Sequence, residues 1–371
     1  MFKNTNKIRI IVFLPNFTLG GAAESLVKLI RFLSKKKFSV LIISLGKNTY
    51  KKKLFDMGCD IIEMNYKRAF FSLINLRKIF KSEIKKKYKK TILLSNIHYA
   101  NIISILSTLF LKNIKIILTE RSSLSELHLN NNLYKNIKNK IIFYLAKIFY
   151  RYSDLVIANS NYEKIYIKKN IKTNKIITIH PPSLNKIYIL KKNNKFSKIL
   201  KIIYVGRLSE EKGVLTILKA LKIIKGKIKF NFKIYGDGYE KNIIKTKIKE
   251  YKIDREVNLC GHQKNLNKIF KNADLFINAS LFEGLPNALV QALNFNVSII
   301  CSKSPGGNIE VVGNGKYGQI FQVNNENDLA NKIMNLNLKK HILKKDDKIS
   351  HLKKFTEKFS NKKYQTTLFK I

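Results

Sequence analysis

Residues 280–291, with the sequence SLFEGLPNALVQ, combine residue types that can hold a negatively charged ligand. Pro286 suits the first position of a helix, where no backbone N–H is needed. The backbone amides of Asn287 and Ala288 would then be free at the helix N-terminus, which favours an anion. Glu283 stands just before that helix. The stretch therefore predicts an anion-binding turn with a carboxylate beside it.

The element that positions this turn is the apolar run 273–278, which predicts a buried parallel strand. Gly284 allows a tight turn after the strand, and Gln291 would lie on the second turn of the helix that follows. In open α/β sheets, ligands bind at the carboxyl ends of the strands. We therefore expect Glu283 and Gln291 to lie at a ligand-binding edge of a sheet.

A second loop between a strand and a helix carries two cations. The predicted strand 201–205 is followed by Gly206, Arg207 and, after two glutamates, Lys212 and Gly213. Arg207 can form two hydrogen bonds with phosphate oxygens, and Lys212 adds a point charge, so both can converge on one diphosphate. The alternative is that both are ordinary surface residues. That fits the many lysines but fits Arg207 poorly, because only eight of the 72 basic residues are arginine.

These motifs resemble those of glycosyltransferase family 4. Glu283 and Gln291 stand eight residues apart, as do the two glutamates of that family's acidic motif. The match continues at 204–213 (YVGRLSEEKG) and 304–307 (SPGG), and it covers most of the chain. The resemblance implies an α/β protein of the GT-B fold, in which two Rossmann-like, doubly wound parallel-sheet domains face each other across a cleft. It also implies a retaining enzyme that uses sugar nucleotides.

The resemblance also implies roles for individual residues of this half. Glu283 would contact hydroxyls of the donor sugar or help to stabilise a cationic, oxocarbenium-like anomeric centre. The family's second glutamate binds ribose hydroxyls, and here Gln291 keeps an acceptor oxygen but lacks the charge. His262 would lie near the nucleotide base, although an exposed loop residue is the alternative interpretation.

The N-terminal half opens with a similar pattern. The run 8–14 predicts a buried strand, and Gly20 and Gly21 begin a helix that ends near Leu33. A strand, a glycine-rich turn and a helix let backbone N–H groups approach a phosphate, but an ordinary turn would have the same pattern. Glycine pairs of this kind also begin the family's N-terminal domain. The resemblance therefore implies that Gly20 and Gly21 lie near the donor phosphates and the acceptor.

Three polar residues follow later strands of this half. His98 comes just after the predicted strand 91–95, and Glu120 and Arg121 follow the predicted strand 114–118. The resemblance implies that His98 contacts the donor sugar or the acceptor, and that Glu120 and Arg121 lie on the acceptor side. A lone histidine in a loop can instead have a structural role.

Two basic stretches have alternative interpretations. Residues 66–90 hold ten basic side chains and one acid, Glu83, with apolar residues at helical spacing. They predict a surface helix whose basic face is either simply solvated or docked on an anionic bilayer. Residues 133–152 predict either a core helix with its lysines outward or an interfacial helix.

Composition limits the classes of function. The 371 residues predict two domains, and 45% apolar residues suffice for two cores. The formal charge of +48 predicts anionic partners, namely a nucleotide, acidic lipid headgroups or nucleic acid. Nucleic acid is not expected, because no helix-turn-helix, zinc-finger or RNA-recognition signature occurs. Cys59, Cys260 and Cys301 predict buried thiols of a reducing compartment.

The predicted organisation has four parts. They are an acceptor-side domain at 1–185, a linker at 186–198, a nucleotide-sugar-binding domain at 199–345 and a C-terminal helix at 346–371 that packs back on the first domain. The apolar run near the start is too short for a signal peptide, and none reaches the roughly 18 residues of a spanning helix. We expect a cytoplasmic protein, peripheral on the inner face of the cytoplasmic membrane.

Together these patterns predict a hexosyltransferase of bacterial surface glycan synthesis. It would move a hexose or an N-acetylhexosamine from a nucleotide diphosphate sugar, UDP by family frequency, to a lipid-linked or polysaccharide acceptor. Arg207, Lys212 and the amides near Asn287 would stabilise the charge on the departing diphosphate. No Asp-X-Asp occurs, so neither a metal nor another cofactor is expected. The alternatives are a sugar-nucleotide epimerase of the same fold and a non-catalytic module that binds anions or nucleic acid.

Overall fold

The structure of the protein is a computed structural model whose contacts divide the chain into two compact units. The first comprises residues 1–182 and 357–371, and the second comprises residues 183–356. Most of the predicted linker 186–198 lies outside the described residues. The structure describes residues 6–18, 20–86, 88–128, 133–189, 199–263, 265–336 and 345–371.

The first unit is built on a parallel sheet. Its strands are β1 (Ile8–Phe13), β2 (Phe38–Ser44), β3 (Asp60–Glu63), β4 (Lys90–Asn96), β5 (Ile114–Thr119), β6 (Leu155–Ala158) and β7 (Ile176–Thr178). They pair in the order β3-β2-β1-β4-β5-β6-β7. The central strands are continuous apolar runs because both faces of the sheet are covered. Ile10 and Val12 of β1 belong to the core on one face, and Ile11 and Phe13 to the core on the other.

Helices cover both faces of this sheet. They are α1 (Gly21–Ser34), α2 (Lys51–Phe55), α3 (Leu73–Lys85), α4 (His98–Thr108), α5 (Leu133–Phe149) and α6 (Asn161–Asn170). The first two pack on the face of Ile10, and α3 and α4 pack on the face of Ile11. Helix α5 buries Phe143 and Ala146 in the core and exposes Ile137 and Tyr144, so one face of the helix matches the core interpretation.

The second unit repeats the plan with fewer strands. Its strands are β8 (Leu200–Val205), β9 (Phe230–Tyr235), β10 (Val257–Gly261), β11 (Leu275–Asn278), β12 (Ser298–Ser302) and β13 (Gln319–Phe321). They run parallel in the order β10-β9-β8-β11-β12-β13. Ile202 packs on one face of this sheet and Ile203 on the other. Two parallel sheets covered on both faces confirm the predicted α/β class with Rossmann-like units.

The helices of the second unit follow its strands. They are α7 (Val214–Ile224), α8 (Lys241–Glu250), α9 (Leu266–Lys271), α10 (Asn287–Asn294), α11 (Asn308–Val311), α12 (Glu326–Met334) and α13 (Lys345–Lys353). The last helix of the chain, α14 (Glu357–Lys370), belongs to the first unit. Its Tyr364 and Leu368 join the core that α1 covers.

The prediction of one closing helix is wrong, because α13 and α14 are separate helices. Phe355, between them, is buried in the core of the second unit. Its carbonyl accepts the amides of Ser183 at 3.0 Å and Leu184 at 3.1 Å. Two amides of another segment thus occupy both lone pairs of this carbonyl, and the series of helical hydrogen bonds is interrupted here.

Two further expectations concern the burial of the cysteines and the presence of membrane-spanning helices. Cys59 and Cys301 are buried, whereas Cys260 is half-buried, so the prediction of buried thiols fails at this one position. All three thiols are free. In the described part of the chain, no helix has the length and apolar character needed to cross a membrane.

Each sheet has one point where the strand order reverses. It lies between β1 and β4 in the first unit and between β8 and β11 in the second. The crevice at the carboxyl ends of such strands is where ligands bind in doubly wound folds. Gly20, Arg207 and Glu283 lie in the loops that follow β1, β8 and β11, and His98 begins the helix that follows β4. The strand order therefore places these four predicted residues at the reversal points of the two sheets.

Candidate functional site

Two loops at the reversal point of the second sheet are fixed to each other by their backbones. The amide of Leu281 donates to the carbonyl of Glu211 at 2.8 Å. Gly213 has φ +63°, and a Cβ there would lie 2.1 Å from the carbonyl oxygen of Ala279. Only glycine allows this approach, so the loop after β8 and the loop after β11 are packed directly against each other.

Glu283 and Lys212 meet where these loops join. Lys212 Nζ donates to Glu283 Oε1 at 2.7 Å, and Ser280 Oγ donates to the same oxygen at 2.7 Å. The side chains of Lys212 and Glu283 are 20% and 11% exposed, so the pair is shielded but still reachable. An ammonium has three donors, so Lys212 keeps two for a further anion.

The predicted loop at 304–307 supports Glu283 from the other side. The amide of Glu283 donates to the carbonyl of Pro305 at 2.9 Å, and the amide of Gly307 donates to the carbonyl of Gly284 at 3.0 Å. A β-bridge joins Glu283 to Gly306. The backbone of Glu283 is therefore held between the loops that follow β8 and β12.

The start of α10 differs from the prediction by one position. Pro286 is the N-cap in an extended conformation, with ψ 93°, and Asn287 is the first helical residue. The carbonyl of Pro286 accepts the amides of Leu289 and Val290, both at 3.1 Å. The amides of Asn287 and Ala288 donate to no acceptor among the described residues, so two backbone donors are available at this helix end.

The remaining predicted residues of this unit are Arg207, Gln291 and His262. Arg207 is exposed, and no hydrogen-bond acceptor for its guanidinium lies in the described ranges. Its carbonyl accepts the hydroxyl of Tyr204 at 2.7 Å. Burial, and then the charge of Glu283, raises the pKa of Tyr204 well above its ordinary value. Gln291 is half-buried on α10, whereas His262 is exposed after β10, the outermost strand and two strands from β8.

The edge of the first sheet gathers its own predicted residues. Gly20 precedes α1 and Gly21 is its first residue, and both are exposed. Arg121 joins three elements of this edge. Its Nε donates to Asn96 Oδ1 at 3.0 Å, and its Nη1 donates to Ser25 Oγ of α1 at 3.1 Å. Its Nη2 is buried without a partner among the described residues, which leaves a donor for a ligand.

His98 is the first residue of α4 rather than a loop residue, and it is only 5% exposed. Its Nδ1 lies 3.4 Å from Glu120 Oε2, and its Nε2 lies 3.3 Å from Glu126 Oε1. Burial opposes the charged ring, but the hydrogen bond and charge of Glu120 and the charge of Glu126 outweigh it and raise the pKa of His98. Both ring nitrogens thus face protein carboxylates, and a direct contact with substrate requires Glu126 to move.

The sequence analysis placed Glu120 at this edge but missed Glu126, Glu163 and the phenol of Tyr150 around this histidine. Tyr150 donates a short hydrogen bond to Glu120 Oε1, which also accepts Asn101 Nδ2 at 2.9 Å. Glu163 accepts Ser123 Oγ at 2.6 Å and the amide of Leu124 at 2.9 Å. Glu163 therefore fixes the start of the 3₁₀ turn Leu124–His128, which carries Glu126.

A local signal for Glu163 was present in the sequence. Ser160 and Glu163 form the S-x-x-E pattern of a capping box, and Ser160 Oγ accepts the amide of Glu163 at 3.2 Å. The pattern places Glu163 in the first turn of α6. It does not show that the carboxylate turns inward to the loop after β5. No group of His, Cys, Asp and Glu among the described residues is arranged to hold a metal ion.

Glu163 gives a testable dependence of stability on pH. Burial raises its pKa from 4.5 to about 8 in the folded protein. The folded state therefore holds a proton that the unfolded state releases, and this stabilisation is complete below about pH 4.5 and is lost as the pH rises through 8. Between those values, the free energy of unfolding should fall by up to about 1.4 kcal/mol per pH unit from this group.

Glu163→Gln should remove that slope. Chemical denaturation between pH 5 and pH 9, run on wild type and on the variant, measures the difference. Glu250→Gln is the matched control, because Glu250 is exposed at the end of α8. Parallel curves for wild type and Glu163→Gln across this range would show that Glu163 is ionised in the folded protein.

Comparisons with known families match both halves of the chain. The model of the family described as glycosyl transferases group 1 matches residues 186–354. The model described as Glycosyltransferase Family 4 matches residues 19–182. Each match falls within one of the two units.

Two similar proteins are also named as glycosyltransferases. An uncharacterized glycosyltransferase of Methanocaldococcus jannaschii is 31% identical over 190 residues, 48% of this chain and 47% of that protein, so the match spans about half of this relative. A Campylobacter jejuni protein is 25% identical over 369 residues, 93% of this chain and 96% of its own. It is named GalNAc-alpha-(1->4)-GalNAc-alpha-(1->3)-diNAcBac-PP-undecaprenol alpha-1,4-N-acetyl-D-galactosaminyltransferase.

A solved structure supports the fold. HepE of Anabaena, in complex with UDP-glucose, superposes with a TM-score of 0.77 over 98% of this chain and 100% of its own, at 17% identity. The similarity therefore covers nearly the whole of both chains and extends beyond the loops that hold Glu283 and Lys212.

Proposed function

Because the chain belongs to the group 1, family 4 type of glycosyltransferases, which are hexosyltransferases of the GT-B fold, we propose a specific transfer reaction for it. It moves a hexose or an N-acetylhexosamine from a UDP-sugar to a lipid-linked acceptor in glycan synthesis, with retention at the anomeric carbon. The family assignment favours transfer over epimerisation and over a non-catalytic role.

Relatives support the two substrates. The names of three similar Campylobacter jejuni enzymes specify acceptors on undecaprenol diphosphate and an N-acetylgalactosaminyl group as the unit transferred. The structure of HepE contains UDP-glucose. We therefore propose UDP as the nucleotide and a polyprenyl-linked sugar as the acceptor, with the donor sugar drawn from these two classes.

The observation that carries the proposal is the Lys212–Glu283 pair beside the free amides of α10. When the bond from the anomeric carbon to the diphosphate breaks, the leaving oxygen takes the electron pair and becomes negative. Lys212, Arg207 and the amides of Asn287 and Ala288 would stabilise that charge. Glu283 would stabilise the opposite charge that grows on the sugar ring.

The edge of the first unit supplies the acceptor side of the proposal. Arg121 has one buried donor without a partner, and Gly20 and Gly21 expose the N-terminus of α1. Glu120 and His98 are bonded to each other and to neighbouring side chains, among them Glu126 of the 3₁₀ turn, so we assign them to positioning that turn rather than to direct chemistry. His262 and Gln291 remain assigned to the base and the ribose of the donor.

The proposed place of action is an anionic membrane surface, at the inner face of the cytoplasmic membrane. A polyprenyl-linked acceptor is confined to a membrane, and the acceptors named for the relatives are of this kind. The formal charge of +48 favours association with acidic lipid headgroups.

Donor binding is tested by thermal shift with UDP-, GDP- and ADP-sugars in the absence of metal. At 100 times its Kd, a ligand stabilises the folded state by about 2.7 kcal/mol, so a UDP-sugar should raise the Tm of wild type. Arg207→Ala should lose most of that shift, because its guanidinium is proposed to hold the diphosphate.

Arg255→Ala is the matched control for this experiment. Arg255 is an exposed arginine of the same unit and lies just before β10. It should keep the full shift. A wild-type protein whose Tm no nucleotide sugar changes would contradict the proposed donor site, and an equal loss in both variants would show that overall charge, not Arg207, is responsible.

A further inference from the structure

The first unit exposes three large apolar side chains in one short segment. Phe70 and Phe71 are 67% and 64% exposed, and Ile74 is 68% exposed. The two phenylalanines belong to the 3₁₀ turn Ala69–Ser72, which leads directly into α3, and Ile74 lies in the first turn of that helix. A soluble surface rarely leaves several such side chains together in water, and contiguous apolar patches usually bind something.

A fourth apolar side chain, Phe110, is presented next to this segment. It is 94% exposed and has φ +63°, a conformation that large side chains rarely adopt. Its turn is fastened to α3, because Arg77 Nη1 donates to the carbonyl of Leu109 at 2.7 Å and to that of Ser107 at 3.3 Å. We call Phe70, Phe71, Ile74 and Phe110 the apolar edge.

A row of lysines continues from the apolar edge along α3. Lys78, Lys81 and Lys85 are exposed, and with Ile74 they follow the three- and four-residue spacing of a single helix face. Glu83 is the only acid between residues 66 and 90. It points away from this face.

The carboxylate of Glu83 is already neutralised inside the protein. It is 4% exposed and pairs with Arg9 at 2.7 Å and with Lys86 at 2.5 Å. The row of Lys78, Lys81 and Lys85 therefore carries a positive charge that no acid of this segment offsets. A cationic helix face with an apolar group at one end matches an interfacial amphipathic element.

We propose that the apolar edge and this lysine row form the surface by which the protein docks on an anionic lipid bilayer. The phenylalanines and Ile74 enter the boundary between headgroups and acyl chains, and the lysines contact acidic headgroups. The inference rests on the proposed function, because a polyprenyl-linked acceptor has to be reached at a membrane. It selects between the two interpretations of the 66–90 stretch in favour of the bilayer.

Flotation of the full chain with phosphatidylglycerol–phosphatidylethanolamine vesicles tests the proposal. The variant Phe70→Ser/Phe71→Ser should bind at least about tenfold more weakly than wild type, because two apolar side chains no longer leave water. Lys78→Gln/Lys81→Gln/Lys85→Gln should bind more weakly at low salt and approach wild type at high salt, where screening removes the lysine contribution.

Two matched variants keep the test specific. Phe55→Ser removes a phenylalanine that is 71% exposed on α2, on the opposite face of the same sheet. Lys222→Gln/Lys245→Gln/Lys249→Gln removes three exposed lysines of the second unit. Both should float like wild type. Equal losses in these controls, or unchanged flotation of the Phe70/Phe71 variant, would overturn the assignment to this surface.

Two further measurements separate this inference from the proposed function. The UDP-sugar thermal shift should be unchanged in the Phe70/Phe71 variant, which also shows that it is folded. If the Phe70/Phe71 variant floats no differently from the controls while the UDP-sugar still raises the Tm, only the docking surface is overturned. If flotation follows the prediction but no UDP-sugar raises the Tm of wild type, only the proposed donor is overturned. Binding of single-stranded RNA that falls in the same variant, with vesicle binding unaffected, would assign the surface to nucleic acid instead.

Discussion

Replacing Lys212 with methionine is expected to lower the kcat of sugar transfer by about 10²–10³-fold while the protein stays folded. Methionine keeps an unbranched side chain of similar length, but it has no N–H to offer the departing diphosphate. Glu283 loses one of its two donors and keeps Ser280. The two side chains are only 20% and 11% exposed, so removing the ammonium also lowers stability, and kcat is compared on protein whose Tm shows that it is folded.

The measurement is steady-state transfer with the UDP-sugar that the thermal-shift panel selects. Lys245→Met is the control, because Lys245 is an exposed lysine of α8 away from the proposed site. It should keep wild-type kcat. A Lys212→Met enzyme within about threefold of wild type would remove Lys212 from the chemistry.

The partner variant Glu283→Gln sharpens the same prediction. The amide keeps the shape of the carboxylate and can still accept a hydrogen bond from Lys212, but it loses the charge that would face the sugar ring. If the two residues act as a unit, Lys212→Met/Glu283→Gln should be scarcely slower than the worse single variant. If the loss of kcat in the double variant equals the product of the losses in the two single variants, the two residues act independently.

The sequence predicted the elements of this site because each depends on a local pattern. Buried parallel strands are continuous apolar runs, and the run 273–278 contains the observed strand Leu275–Asn278. Glycine and proline mark the turn before α10. Once alternating strands and helices predict a doubly wound sheet, the carboxyl ends of the strands become the expected edge for polar residues.

The sequence could not predict which of those residues touch. Lys212 and Glu283 are 71 residues apart and meet because β8 and β11 are neighbours at the reversal point. His98 was placed at the correct edge, but its second carboxylate, Glu126, comes from a 3₁₀ turn that periodicity does not reveal. Pairings between loops depend on strand order, which hydrophobic spacing alone leaves open.

Two of the local errors, at the start of α10 and at the closing helix, have the same origin. Pro286 has a φ that suits either the N-cap or the first helical position, and its ψ is an extended 93°. The turn around it is held from outside, because Ser183 Oγ donates to Asn287 Oδ1 at 2.6 Å and the amide of Gly307 donates to the carbonyl of Gly284 at 3.0 Å. The predicted C-terminal helix at 346–371 is interrupted because the carbonyl of Phe355 accepts the amides of Ser183 and Leu184. In both places a contact from a distant segment decided the backbone geometry.

Gly306→Ala is expected to have the largest effect on stability, because two backbones approach each other at this glycine. A Cβ built at Gly306 would lie 1.5 Å from the carbonyl oxygen of Glu283, and the residue has φ +116°. The clashing oxygen belongs to the backbone and cannot rotate away as the end of a side chain could. The β-bridge between Glu283 and Gly306 therefore has to open. We expect a loss of more than about 4 kcal/mol in the free energy of unfolding, or failure to fold.

Gly226→Ala separates steric clash from backbone strain in this prediction. Gly226 also has a positive φ, +79°, but a Cβ there would have nothing within 4 Å. It should cost only the roughly 1–2 kcal/mol of a left-handed alanine. Urea denaturation of both variants gives the comparison. If Gly306→Ala is no worse than Gly226→Ala, the bridge does not hold Glu283. If it is far worse, and activity is lost with it, the loop after β12 is what keeps the carboxylate beside Lys212.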